Sequence, residues 1–436
     1  MIINIIIIFG LLIIFISSGM WIAIALATTG IITLAFLAGG YQHIVDVLLF
    51  NTISSFVLVA VPMFIFLGEI VLESGLSKGL YRGVSKWTSI IPGGLLHSNI
   101  MACSLFAAIS GSSLATAATI GTVAYEDQKA KGYDYKLLGG SIAAGGTLGI
   151  LIPPSIIMII YGDFVGASVA KLFAGGVVPG VIASLLFMSW LAFITTIRPN
   201  MAPHREKFTR RYFLRAAGGF KDVWPILVII VIIFVGIYGG LMTPSEAAAV
   251  SCFVALLLSA IFRKLNFNML KGAALRTLRT SAMVLFIVVC AKILGMGVSM
   301  IKLPAELSEF VGSLGIGRMG IWVGIIILYL ALGCLMDALA MMLLTLPVTY
   351  QLIVLNLGFD PIWFGVALVL LTEIALITPP VGLNLYIVHG ISQNERMESL
   401  VAGIIPFFFL LLIVLGLLTI FPVLVSWLPN ILMPKY

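Results

Sequence analysis

Charge is what this sequence has least of. Asp, Glu, Lys and Arg make up 9% of its 436 residues, where a soluble domain carries about 25%. With 61% hydrophobic residues and a mean hydropathy of +1.20, a water-exposed globule is excluded. Cysteine is also scarce. Cys103, Cys252, Cys290 and Cys334 lie singly in apolar segments without CxxC spacing, so they read as small core residues rather than a disulfide scaffold or a metal site. HExxH, DDxxD, GxGD and Walker A sequences are all missing, which leaves no sign of an enzyme or of ATP-driven pumping. A Ser112–His389 dyad is a weak competitor, because His389 falls near a cytoplasmic end.

Acids are outnumbered, 17 against 24 Lys and Arg, for a net charge of +7. Topology explains this better than a nucleic-acid partner does. Residues 198–221 hold Arg198, Arg205, Lys207, Arg210, Arg211, Arg215 and Lys221 against Glu206 alone, and residues 263–279 add Arg263, Lys264, Lys271, Arg276 and Arg279. Smaller groups stand at Lys78, Arg82 and Lys86 and at Lys129, Lys131 and Lys136. The positive-inside rule turns all of them toward the cytoplasm. The apolar first stretch has no basic n-region and no small-residue cleavage site, so it reads as an uncleaved span rather than a signal peptide.

What is present is duplication. Residues 141–155 read SIAAGGTLGILIPPS and residues 367–381 read ALVLLTEIALITPPV, two apolar segments broken by Pro153-Pro154 and Pro379-Pro380 at an offset of 226. The same ungapped shift carries Ser110-Gly111-Ser112-Ser113 onto Met336-Asp337-Ala338-Leu339, Thr119-Ile120-Gly121 onto Thr345-Leu346-Pro347, and Ser17-Ser18-Gly19 onto Thr243-Pro244-Ser245. Interrupted helices at matching points of two halves are the pattern of a transporter's binding site.

The expected fold is an all-α polytopic membrane protein built as two inverted repeats, 1–221 and 222–436, with two re-entrant helical hairpins and two broken helices. In the first repeat, spans 2–16, 20–38 and 53–75 precede a hairpin over 87–125. The Ser/Gly/Thr-rich middle of that hairpin suits a tip ending at mid-membrane better than a lipid-facing turn. A broken helix over 137–162, interrupted near Gly145-Gly146 and at Pro153-Pro154, and a span over 168–196 complete five crossings. The second repeat must therefore run the other way: spans 224–240, 244–262 and 281–301, a hairpin over 303–350, a broken helix over 361–386 and a span over 400–428. Thr243-Pro244-Ser245-Glu246 reads as a capping box with proline at the first helical position. Both termini then face outside.

A polar ligand at mid-membrane needs backbone groups released from helical bonding, and proline breaks supply them. The released groups gather around Ser110–Ser113, Gly145–Pro154, Met336–Ala338 and Thr378–Asn384. Within and beside these stretches the candidate binding residues are Ser110, Gly111, Ser112, Ser113, Gly145, Thr147, Pro153, Pro154, Ser155, Asp337, Thr378, Pro379, Pro380, Gly382 and Asn384. Small residues in a membrane helix also serve close packing, but four of them together at one tip favour a site. Intramembrane charges are costly and so are functional candidates. Asp337, whose repeat mate is Gly111, falls at the second tip. Glu373, mate of Thr147, either supports the site or pairs with Lys292. Glu69 and Glu73 read as interfacial, and Asn384 as an amide ligand.

Four stretches, SGSSLATAATIGT (110–122), GGTLGILIPPS (145–155), GGLMTPSEAAAV (239–250) and ITPPVGLNLY (377–386), together resemble the large membrane subunit of the tripartite ATP-independent periplasmic (TRAP) transporters over the full chain. The resemblance implies sodium-coupled uptake of carboxylate-bearing solutes such as sialic acid or C4-dicarboxylates across a bacterial inner membrane. The solute would be handed over by a soluble periplasmic binding protein. It also implies a small four-helix membrane subunit, expected here as a separate chain, and an elevator motion of hairpins and broken helices against a static scaffold. Carried residue by residue, the sodium-site roles fall on Ser110, Ser112, Gly145 and Pro154 in one half and on Asp337, Thr378, Pro379 and Gly382 in the other. Competing readings are an ion or solute channel, and a divalent-anion/sodium symporter working without a binding protein. The Ser-Asn-Thr tips expected of the latter are missing.

Overall fold

The computed structural model describes residues 2–203, 209–313, 315–334, 336–379, 382–392 and 395–433. Their regular structure is helical throughout. The first half opens with α1 (Ile2–Ser17) and α2 (Ile22–Ile32), the latter running on as a π-helical turn over Thr33–Leu37. Then α3 (Val45–Ile53) meets the helical stretch Val57–Glu73, containing α4 (Ala60–Glu73), at a bend of 54°. An amphipathic helix, α5 (Leu76–Thr88), buries Leu76, Leu80, Tyr81 and Val84 while Lys78 and Arg82 stay exposed. After it, α6 (Leu95–Ser110) and α7 (Ser113–Ala130) form a hairpin that turns at Gly111-Ser112. Next come α8 (Tyr135–Leu151), α9 (Ile156–Val165) and the long α10 (Val169–Ile197).

The second half repeats the order with different joints. α11 (Arg210–Tyr238) and α12 (Pro244–Ile261) lead into α13 (Phe267–Met300), one helix of 34 residues where the first half has the bent α3–α4. α14 (Leu303–Ser313) stands where α5 does. α15 (Arg318–Gly333) and α16 (Ala338–Tyr350, extended by a π-helical turn over Gln351–Asn356) form the second hairpin. α17 (Pro361–Ile377), α18 (Leu383–Ser392), α19 (Met397–Ile420) and α20 (Val423–Leu432) close the chain. Among the described residues, seven helices are long and apolar enough to cross a hydrocarbon core, or eight if the bent pair counts as one span.

Burial shows what lies in the middle. Every residue of α8 from Leu137 to Leu151 and of α17 from Trp363 to Ile377 is buried. The most apolar window of Tyr135–Val165 is 89% buried, against 28% for that of Val169–Ile197. A helix apolar on all sides belongs among other helices, so the two interrupted helices form the core and α10 faces outward. Both start on the same device at the repeat spacing. Asp134 accepts from the backbone of Lys136 and Leu137 at 3.0 and 3.1 Å. Asp360 accepts from Trp363 N at 2.8 Å, with Pro361 at the first helical position. Such caps satisfy donors that a helix start leaves orphaned. The capping box of Thr243 and Glu246 forms as expected.

The base of the first hairpin is held by buried amides. Gln128 Nε2 donates to Tyr81 OH and Asn99 Oδ1, both at 2.6 Å, and to the Leu95 carbonyl at 3.1 Å. Asn99 Nδ2 reaches Ser141 Oγ at 2.9 Å. The network joins α5, α6, α7 and α8, and buried networks satisfied in this way rigidify the elements they join.

Several expectations are corrected. The helix is not interrupted near Gly145-Gly146: α8 runs unbroken to Leu151, and the break falls at 152–155. Those glycines let neighbours approach instead. A Cβ on Gly145 would lie 2.8 Å from Cys103 Sγ, and one on Gly146 2.8 Å from Ala117 Cβ. The basic stretch 198–221 turns helical at Arg210, and α13 begins at Phe267 rather than 281. Charge ends an apolar run, but it does not end a helix that continues into water. The first hairpin spans 95–130 rather than 87–125, and the amphipathic α5 and α14 escape a reading that looks for apolar runs. The expected span 400–428 divides at Phe421-Pro422 into α19 and α20. Glu69 and Glu73 are not simply interfacial. Arg276 Nε lies 2.7 Å from Glu69 Oε2, and its guanidinium also pairs with Glu73, tying α13 to α4.

Candidate functional site

The first hairpin turns by a left-handed residue. Gly111 follows α6 at φ +61°, and Ser112 then caps α7 by accepting from Ala115 N at 3.3 Å. Conformation and space both require glycine here, since a Cβ would stand 3.0 Å from the Pro154 carbonyl oxygen. The Ile156 amide donates to the Gly111 carbonyl at 3.4 Å. The tip thus touches the α8–α9 break, where Pro153 and Pro154 are buried across a cis peptide and Ser155 caps α9 by accepting from Met158 N. A second contact sets the approach: a Cβ on Gly149 would lie 2.6 Å from the Ser112 carbonyl oxygen. Gly149 was not singled out in the sequence. Its mate at the 226 offset is Ala375, and that pair of small residues was the readable signal.

The second tip uses the same parts with different atoms. Gly333 ends α15 against Ala375, where a Cβ would lie 2.8 Å from Ala375 Cα. Asp337 caps α16, its Oδ1 accepting from Ala340 N at 2.7 Å. Cys334 Sγ lies 3.6 Å from the Pro379 carbonyl, so this tip also meets its break. Thr378 turns its hydroxyl back onto the Ile374 carbonyl at 2.7 Å, and Gly382 restarts the chain at φ +52° before α18. Pro380 lies outside the described residues.

Between the tips lies a cavity of about 150 Å³. Gly111, Ser112 and Ser113 line one side, Asp337, Ala338 and Leu339 the other, and Thr280, Met283 and Val284 of α13 a third. A neighbouring cavity of about 280 Å³ shares Ser112, Leu114, Ile156 and Thr280 with it and reaches Ser110, Thr119 and Glu69. Thr280 was missed by the sequence reading, because one hydroxyl in an apolar helix carries no pattern of its own.

The structure sorts the remaining candidates. Ser110 is buried with its hydroxyl 3.0 Å from that of Thr116. Thr147 spends its hydroxyl on the Ala144 carbonyl at 2.6 Å within its own helix. Gly145 sits inside α8 about 10 Å before the break, taking 1.5 Å per residue. Asn384 is fully buried and donates to the Ala143 carbonyl at 3.3 Å. The alternative pairing of Glu373 with Lys292 is overturned: Lys292 Nζ lies 2.6 Å from Asp163 Oδ2, and Asp163 also receives the Ser55 hydroxyl at 2.5 Å. Glu373 instead accepts from the Ser113 hydroxyl at 2.5 Å. Among the described residues, no group of three or more His, Cys, Asp and Glu could hold a metal ion. The polar groups these tips present are hydroxyls, backbone carbonyls and the Asp337 carboxylate.

Comparison with solved structures agrees with this architecture. The fold is similar to that of the YdaH transporter of Alcanivorax borkumensis, with a TM-score of 0.62 over 89% of this chain and 88% of that one; at 16% identity the likeness is one of fold alone. The molecule is a polytopic membrane protein, helical throughout its described regular structure. More particularly, it belongs to the tripartite ATP-independent periplasmic transporter family as a DctM component, the family model matching residues 9–424. The large permease protein DctM of the C4-dicarboxylate TRAP transporter of Pseudomonas aeruginosa is 32% identical over 93% of this chain and 94% of its own length. The isethionate TRAP transporter permease protein DctMQ of Oleidesulfovibrio alaskensis is 32% identical over 95% of this chain. This chain spans 65% of the length of the latter, just under two thirds. The family is one of transport permeases, not enzymes.

Proposed function

We propose that this chain is a sodium-coupled secondary importer of a small organic carboxylate, received from a soluble periplasmic binding protein and carried across a bacterial inner membrane. One observation carries the reading: hairpin tips from opposite halves of the chain line one cavity, and each tip touches the proline break of its own half. Hairpin and break together release carbonyls and present hydroxyls, which can replace the water around a sodium ion without a buried counter-charge. The sodium ligands are drawn from Ser110, Ser112 and Pro154 at the first tip and from Asp337, Thr378, Pro379 and Gly382 at the second. Gly145 fits this role least, being inside an unbroken helix.

The halves 1–221 and 222–436 are inverted repeats with both termini outside, the basic loops marking the cytoplasmic face. Hairpins and broken helices move together past α1–α4 and α11–α13 as an elevator. A small four-helix membrane subunit holds that scaffold. The relatives named for C4-dicarboxylate and isethionate support a small organic anion as cargo. The test is uptake of radiolabelled organic acids into proteoliposomes holding this chain and its small subunit, with and without the binding protein. Saturable uptake that needs both partners is expected. Uptake by this chain alone, or an ohmic conductance, would count against the reading.

A further inference from the structure

Among the described residues, Glu373 is the only Asp, Glu, Lys or Arg that is buried, with 0% exposure. It stands one turn before the second break, in a helix buried on every side. An isolated carboxylate in such a place is strongly disfavoured unless something neutralises it. Among the described residues no cation does so. Lys292 is committed to Asp163, and no ion pair reaches Glu373 among the described residues. Of the titratable side chains on surrounding helices, Tyr161 bonds the Pro361 carbonyl, Tyr329 the Thr345 hydroxyl and Lys129 pairs with Glu395, while His389 on α18 keeps a buried Nδ1 without a partner among the described residues. Among the described residues the one partner of Glu373 is the Ser113 hydroxyl on Oε1, while Oε2 has none.

A second buried oxygen close by is also unpartnered. Asn384 gives its amide N–H to Ala143, and its Oδ1 accepts nothing from the described residues. Both groups flank the first tip. A Cβ on Gly146 would lie 3.1 Å from Asn384 Nδ2 and 3.3 Å from the carbonyl of Ser113, the residue whose hydroxyl holds Glu373. Unpartnered, acceptor-rich oxygens in a dry interior are rare, and each calls for an occupant.

We propose that Glu373 is a cation-coupling site in its own right, carrying one small monovalent cation, sodium or a proton, in addition to the sodium held at the tip–break contacts. The site is small because Glu373 and its partner Ser113 are both fully buried, and monovalent because one carboxylate offers one charge. The inference rests on the importer reading and deepens it: the hydrogen bond to Ser113 lets the state of Glu373 be felt at the first tip.

The test compares wild type with Glu373→Gln and Glu373→Asp in proteoliposomes containing the small subunit and binding protein. The measured quantity is the charge moved per solute, from the membrane potential at which net uptake reverses. Wild type is expected to move one more positive charge per solute than Glu373→Gln, and Glu373→Asp to keep the wild-type number. If the cation is sodium, the glutamine variant loses steepness in its sodium dependence and keeps its response to pH. If it is a proton, the variant loses its response to a pH gradient and keeps its sodium steepness. Equal charge, sodium and pH dependence in wild type and Glu373→Gln overturns the proposal. Should Glu373→Gln not assemble, Asn384→Leu carries the test by the same readouts, and unchanged coupling there overturns it. A wild type whose uptake ignores both cations sinks the importer reading itself, a result distinct from these.

Discussion

The Ser113 hydroxyl donates a 2.5 Å hydrogen bond to Glu373 Oε1 across 260 residues of sequence. That contact ties the hairpin tip of one half to the broken helix of the other. Ser112 and Asp337, at the turns of the two hairpins, also line one cavity.

Asp337 caps α16 and also lines the cavity, and the proposed sodium role is separable from the cap. Asn caps a helix as well as Asp does. Asp337→Asn is therefore expected to hold thermal stability within about 0.5 kcal/mol while raising the sodium concentration for half-maximal uptake. Asp337→Ala adds the loss of the cap, about 1 kcal/mol. Melting in detergent reads the first effect and uptake reads the second. Unchanged sodium affinity in Asp337→Asn would remove this residue from the site.

Two glycines control how close the first tip lies to the centre. Gly149→Ala forces a Cβ onto the Ser112 carbonyl, and such overpacking against backbone costs about 1–3 kcal/mol. Gly111→Asn tolerates the left-handed backbone but still meets the Pro154 carbonyl. Both variants are expected to insert yet to lose most uptake. Near-normal transport by Gly111→Asn would show that only the turn matters, not the contact with the break.

Lys292 and Asp163 form a largely buried pair. Removing one partner of such a pair costs roughly 3 kcal/mol, while replacing both by apolar residues recovers most of the loss. Lys292→Met alone is thus expected to lower the melting temperature clearly, and Lys292→Met with Asp163→Leu to restore it. If Glu373→Gln rescued Lys292→Met instead, Glu373 rather than Asp163 would be the partner of Lys292.

Much of the fold was legible because the chain repeats itself. Pro153-Pro154 and Pro379 fall where α8 gives way to α9 and α17 to α18, and Ser110–Ser113 and Asp337, the repeat mate of Gly111, fall at the turns between paired helices. Three kinds of feature were not legible. Amphipathic α5 and α14 lack the apolar run that marks a span. Gly145-Gly146 looks like a breaker in sequence yet serves helix packing against Cys103 and Ala117. The partner of Glu373 lies on a helix 260 residues away, and an offset that aligns repeat mates says nothing about contacts between different positions of the two halves. Side-chain identity also reports poorly on sites built from carbonyls, so the Pro154–Gly111 and Pro379–Cys334 contacts needed the backbone itself.

The most direct test of the central claim is the initial rate of solute uptake into proteoliposomes as external sodium is raised at constant ionic strength, with potassium as the replacement ion. Two tips acting at one centre predict a sigmoidal rise from near zero. The rise should become shallower in Asp337→Asn, and Gly111→Asn should lose most of the uptake. A rate that is already maximal without sodium, or that follows a proton gradient alone, would contradict the sodium-coupled assignment.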